Sequence, residues 1–123
     1  MKSSSLLVCL AVFCLFTVTL QQEAAEFTPL SADQVGKDPA AKGARDYGYP
    51  FIVDKAIASG RLAQDTYTIA QVVTASQQPV DTGVNYKFSV IVANADKSVN
   101  YSIGYTVYRG NEYGEYFLSR WWY

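Results

Sequence analysis

Val72-Val73-Thr74-Ala75-Ser76-Gln77-Gln78-Pro79-Val80-Asp81-Thr82-Gly83-Val84-Asn85-Tyr86-Lys87-Phe88 is the stretch on which the fold turns. Its first part continues a run rich in β-branched residues, Thr66 to Ala75, that reads as a strand. Its last part opens a second strand, Asn85 to Ala93. There Tyr86, Phe88, Val90 and Val92 fall on one face and Lys87 and Ser89 on the other. Between them, proline, aspartate, threonine and glycine supply turn chemistry, so the two strands predict a hairpin. Working outward, Asn94-Ala95-Asp96-Lys97-Ser98 is a second connection. A third strand follows from Val99 to Tyr108, with Val99, Tyr101, Ile103, Tyr105 and Val107 on one side. Arg109 to Gly114 is another turn, and Glu115 to Tyr123 is a last, aromatic strand.

Upstream of these strands the pattern is different. Asp38-Pro39 pairs an N-cap carboxylate with a proline suited to the first helical position, and Gly60 is a C-terminal stop. The segment between, Ala40 to Ser59, is helix-like, but Gly43, Gly48 and Pro50 interrupt it and Tyr49-Pro50 predicts a break or kink. Glu26 to about Lys42 is polar with scattered Ala, Gly and Pro, and is expected to be an extended, mobile arm. A helix followed by antiparallel strands predicts an α+β architecture, one N-terminal helix packed across a four- to five-stranded antiparallel sheet.

Residues 1–25 carry Lys2, then an apolar run from Leu6 to Phe16, then the polar-to-small stretch Gln21 to Ala25. That is the layout of a secretory signal peptide, which leaves residues 26–123 as one domain and predicts a secreted, extracellular protein. Both cysteines of the 123-residue chain, Cys9 and Cys14, fall inside this leader, so the exported part holds no thiol. The chain has no histidine, which excludes Ser-His and Cys-His catalysis and every His-ligated metal site. Formal charge is −1, without an electrostatic footprint for nucleic acid or, after signal removal, for a membrane. Asp46, Asp54, Asp65, Glu112 and Glu115 show no clustered spacing suited to acid–base work or to a metal ion. The expectation is a non-enzymatic monomer without a cofactor or metal.

From Val72 to Phe88, and more loosely from Pro29 to Tyr123, the chain resembles the cystatin family. Cystatins carry a long helix, a strand leading to a hairpin tip Gln-x-Val-x-Gly, and a following strand that begins near Asn-Tyr. Here Gln78, Val80 and Gly83 match the tip and Asn85-Tyr86 match the strand start. The resemblance implies reversible inhibition of papain-type cysteine peptidases by a wedge made of an N-terminal arm and two hairpin tips. It assigns peptidase contact to Gln78, Pro79, Val80, Asp81, Thr82 and Gly83, with Gly83 allowing positive φ and close backbone approach.

The chain departs from the family in all three segments. The first tip has one residue more than the motif between Gln78 and Gly83, with Pro79 removing a backbone donor and Asp81 adding a charge. The second tip lacks the family's Pro-Trp; the turn around Gly110-Asn111-Glu112-Tyr113 offers Tyr113 as its aromatic anchor. In the arm, Gly36 is the nearest counterpart of the family's flexible glycine. Trp121 and Trp122 belong to the last strand and are expected to pack on the sheet. These departures keep an alternative open, a cystatin-fold secreted protein that binds another protein partner without inhibiting peptidases. Asn100-Tyr101-Ser102 is an N-glycosylation sequon that export would make usable.

Overall fold

A computed structural model of the chain describes residues 26–123. The expected signal peptide, residues 1–25, lies outside the described residues. Five strands and two helices follow in the order β1 (Thr28–Leu30), α1 (Ala32–Lys37), α2 (Pro39–Ala58), β2 (Thr68–Val80), β3 (Gly83–Ala93), β4 (Asn100–Gly110) and β5 (Tyr116–Trp122). The strands form a single antiparallel sheet in sequence order, β1-β2-β3-β4-β5. The fold is therefore α+β, with α2 packed on one face of the sheet.

The N-terminal arm is ordered, against expectation. Thr28–Leu30 pairs with Gln77–Ala75 of β2. Ser31 then caps α1 reciprocally: its Oγ accepts from the Gln34 N–H at 3.1 Å, and Gln34 Oε1 accepts from the Ser31 N–H at 2.8 Å. Two otherwise orphaned donors are satisfied by one four-residue motif, so a short helix forms where composition alone predicts an extended, mobile arm. Val35 anchors it, at 1% exposure, in the core.

Helix α2 starts as the sequence predicts, with Asp38 Oδ1 accepting from the Ala40 N–H at 3.0 Å and Pro39 in the first turn. It ends in a Schellman motif: the Gly60 N–H reaches Ile57 O at 3.0 Å and the Arg61 N–H reaches Ala56 O at 2.9 Å, with Gly60 at φ 78°. The expected interruption does not occur. The helix runs unbroken through Gly43, Gly48 and Pro50, whose exposed position leaves the ring outside the packed face. The two glycines are seats for aromatic rings from the sheet. A Cβ on Gly48 would collide with the Tyr105 ring, and one on Gly43 with the Tyr116 phenol. Each tyrosine then donates its hydroxyl to a helix carbonyl, Tyr105 to Arg45 O at 2.7 Å and Tyr116 to Ala40 O at 3.0 Å.

The strand alternation read from the sequence sorts the two faces. Tyr86, Phe88, Val90 and Val92 of β3 and Ile103, Tyr105 and Val107 of β4 are buried beneath α2, against Ala41, Ala44, Ile52 and Ala56. Strand β2 is longer than expected and carries two register shifts, between Ile69 and Gln71 and between Val72 and Thr74. Such bulges bend a strand and increase its twist, which curves the sheet around the helix. Among the described residues, no element covers the face opposite α2.

Two stability measurements test this packing. Alanine at an exposed helical glycine gains up to about 1 kcal/mol, whereas Gly48→Ala should lose roughly 1–3 kcal/mol through overpacking against Tyr105; chemical denaturation reads the sign. Burial also raises the phenol pKa values of Tyr105 and Tyr86 above the ordinary tyrosine value. Their protonated forms therefore stabilise the fold fully below about pH 10, and this contribution declines as the pH rises past the unfolded-state value. Tyr105→Phe should cost about 1 kcal/mol at neutral pH through its lost hydrogen bond while flattening the alkaline decline.

Candidate functional site

Both hairpin apices emerge at one end of the sheet. Val80 pairs directly with Gly83, so the first hairpin closes through two residues, Asp81 and Thr82. The second closes between Gly110 and Tyr116, where the Gly110 N–H donates to Glu115 O at 3.1 Å and the Gly114 N–H to Gly110 O at 3.0 Å.

Thr82 joins the two apices. Its hydroxyl accepts from the Tyr108 hydroxyl at 2.6 Å, and its carbonyl accepts from the Asn111 N–H at 2.9 Å. One residue thus binds β4 through its side chain and the second turn through its backbone. Of the two residues between Val80 and Gly83, where the cystatin motif has one, Thr82 holds the two turns together.

Gly83 is required for a different reason from the one expected. It is not among the residues in the left-handed region; at this end of the molecule that conformation belongs to Gly114, at φ 66°. Gly83 lies in β3 opposite Gly110, and a Cβ there would collide with the Arg109 carbonyl. The need is close approach of two backbones, which cannot yield as a flexible side chain would.

The other residues expected at the site divide into two groups. Gln78 and Pro79 sit within β2, below the apex, paired with Asn85 and Val84. The Asn85 amide donates to Gln78 Oε1 at 3.0 Å, across the helix-free face. Pro79 lies beyond the end of β1, where β2 is the sheet edge and a missing N–H breaks no ladder. Val80 ends the strand, and Asp81 and Thr82 form the exposed apex. Tyr113 is the outermost aromatic of the second apex, 79% exposed. Gly36 lies in α1, downstream of β1, with no neighbour near the place of its absent Cβ. The part of the arm that runs toward the first apex is Glu26-Phe27, because antiparallel pairing of Thr28 with Gln77 carries the preceding residues toward Val80.

Sequence reasoning missed Tyr108, Phe117 and Phe27. Tyr108 and Phe117 face each other across β4 and β5, rings 6.3 Å apart, and together with Thr82 and Tyr113 they line a small cleft of about 220 Å³ between the apices. The available signal was alternation: with Val107 inward, Tyr108 had to emerge on the polar face, where a large aromatic is unusual. Asp81, Glu112 and Glu115 are exposed around the same apices, and none of them carries an ion pair among the described residues.

Trp121 and Trp122 do pack on the sheet, on opposite faces: Lys55 Nζ of α2 lies 4.7 Å from the Trp121 ring, and Trp122 covers Gly104. Asn100 is exposed as the first residue of β4. No family model, curated protein or solved structure matches the chain.

The bridge through Thr82 generates a double-mutant test. Thr82→Ala and Tyr108→Phe should each destabilise the fold by about 1 kcal/mol. The double variant should cost little more than either single, because both remove one shared hydrogen bond. Additive losses would mean that the hydroxyl pair is not coupled.

Proposed function

We propose that this protein is a secreted, cystatin-like inhibitor of papain-type cysteine peptidases, acting by reversible occlusion of the active-site cleft. One observation carries the reading: two hairpin apices bridged through Thr82, with the start of β1 leading to the same end of the sheet. That is a wedge of three segments on a rigid scaffold. Loops already held in place lose little conformational freedom on binding, so their contacts convert efficiently to affinity.

Tyr113 supplies the hydrophobic anchor. An exposed tyrosine brings a large apolar body and a hydroxyl, the combination that dominates interface hot spots. Asp81 and Thr82 form the blunt first apex, and Gly83 keeps it close to β4. Gln78, Pro79 and Val80 act through the strand that aims this apex. The wedge reading replaces Gly36 with Glu26-Phe27 as the arm segment nearest the apices.

The carboxylates of Asp81, Glu112 and Glu115 favour a second reading, in which the same apices dock on a basic surface of another protein and inhibit nothing.

Dose–response against papain and lysosomal-type cysteine peptidases separates the two. Inhibition should be sub-micromolar and reversible, without cleavage of the protein, and Tyr113→Ala should weaken it about thirtyfold, equivalent to about 2 kcal/mol. A flat response from folded protein across the panel overturns the inhibitor reading.

A further inference from the structure

A second concavity among the described residues, larger than the cleft between the apices, lies away from them. It is a groove of about 690 Å³ on the face of the sheet that α2 leaves uncovered. Strand register explains its composition. Lys87 of β3 is paired with Thr106 of β4, which is paired with Arg120 of β5, so these three side chains form one row across three strands. With neighbouring strands about 4.8 Å apart, the two cations arise roughly 10 Å from each other.

Aromatic walls bound the row. Trp122 lies over Gly104, where no Cβ lifts the indole from the sheet. Phe27 lies on the other side, its ring 5.6 Å from Lys87 Nζ. Gln78, joined to Asn85, and Ser119 add hydrogen-bonding groups along the lining.

No carboxylate lines this groove, and neither Lys87 nor Arg120 forms an ion pair among the described residues. Two cations held over one depression are complementary to an anion that spans them. The open shape and the polar row between the cations do not suit an acyl chain, which needs an enclosed apolar cavity. They suit a polyhydroxylated ligand whose ring faces stack on an exposed indole. The chain's charge of −1 and its acidic apices oppose a long nucleic-acid polyanion.

We propose that the helix-free face of the sheet binds an acidic saccharide, its sulfate or carboxylate groups bridging Lys87 and Arg120 while a sugar ring lies against Trp122. The anion contacts, Lys87 and Arg120, lie one row away from the apices, whereas Phe27 and Gln78 border both the groove and the wedge.

A heparin-derived tetrasaccharide is the probe, titrated calorimetrically and by tryptophan fluorescence into the purified protein at low salt. Saturable binding with a fluorescence change is expected. Lys87→Ala and Arg120→Ala should each weaken it by about tenfold, while Lys97→Ala, in the β3–β4 connection outside the groove, should leave it unchanged. Trp122→Ala should weaken binding and remove most of the fluorescence change; near-ultraviolet circular dichroism confirms that each variant is folded. Desulfated and carboxyl-reduced tetrasaccharides identify which anionic group is read, the one that loses affinity naming it. The proposal is overturned by absence of binding up to about 1 mM, by equal binding of a neutral oligosaccharide, or by an equal loss in Lys97→Ala.

Discussion

The seating of two tyrosine rings on two helical glycines is the contact on which the rest of this structure depends. Tyr105 of β4 lies against Gly48 and Tyr116 of β5 against Gly43, and each hydroxyl is held by a carbonyl of the same helix. Glycine within a helix costs roughly 1 kcal/mol relative to alanine. Here it lets the helix approach the sheet by the width of a methyl group, and the ring that fills the space buries far more apolar surface than the methyl would. Because β4 and β5 are the two arms of the second hairpin, these contacts also fix that hairpin relative to α2.

From there the constraint passes to the apices. Tyr116 is the first residue of β5, so the docking of its ring on α2 lies immediately next to the second turn. The Asn111 N–H of that turn reaches Thr82, and Tyr108, one residue past the buried Val107, reaches it too. The first apex is therefore held to β4 and the second apex to the helix. With no cysteine after residue 14, the described residues are held together by packing and hydrogen bonding without a disulfide. The order of contacts also explains why Gly83 tolerates no side chain: any separation of β3 from the Arg109 carbonyl would stretch the bridge at Thr82.

Much of this architecture was legible in the sequence where local rules and tertiary structure agree. The alternation of Tyr86 to Val92 and of Val99 to Val107, the cap at Asp38-Pro39 and the stop at Gly60 are local signals, and they mark the elements to within a few residues. The misreadings arose where a local signal served a distant contact. Gly43, Gly48 and Pro50 resemble breaks because helix propensity sees only the helix, whereas two of them answer rings some sixty or seventy positions away. The arm looked mobile because its composition is polar, although Ser31 and Gln34 form a capping box within it. At the site, Asp81, Thr82 and Tyr113 were legible as apex residues. The bridging role of Thr82 was not, since it requires knowing that the two turns are neighbours.

A net charge of −1 is unevenly spread over the surface of the described residues. Asp81, Glu112 and Glu115 surround the apices together with Arg109, whose guanidinium lies against Gly114 in the second turn, while Lys87 and Arg120 share the uncovered face with Trp122 and Phe27. Residues paired across the sheet keep these sets apart: the row Lys87-Thr106-Arg120 is separated from the apices by the row Gln78-Asn85-Tyr108-Phe117, which is uncharged. Strand register therefore holds Lys87 and Arg120 one row away from the turns that carry the carboxylates. The first set lies where the apices are proposed to meet a partner, and the second lines the groove proposed to hold an anion.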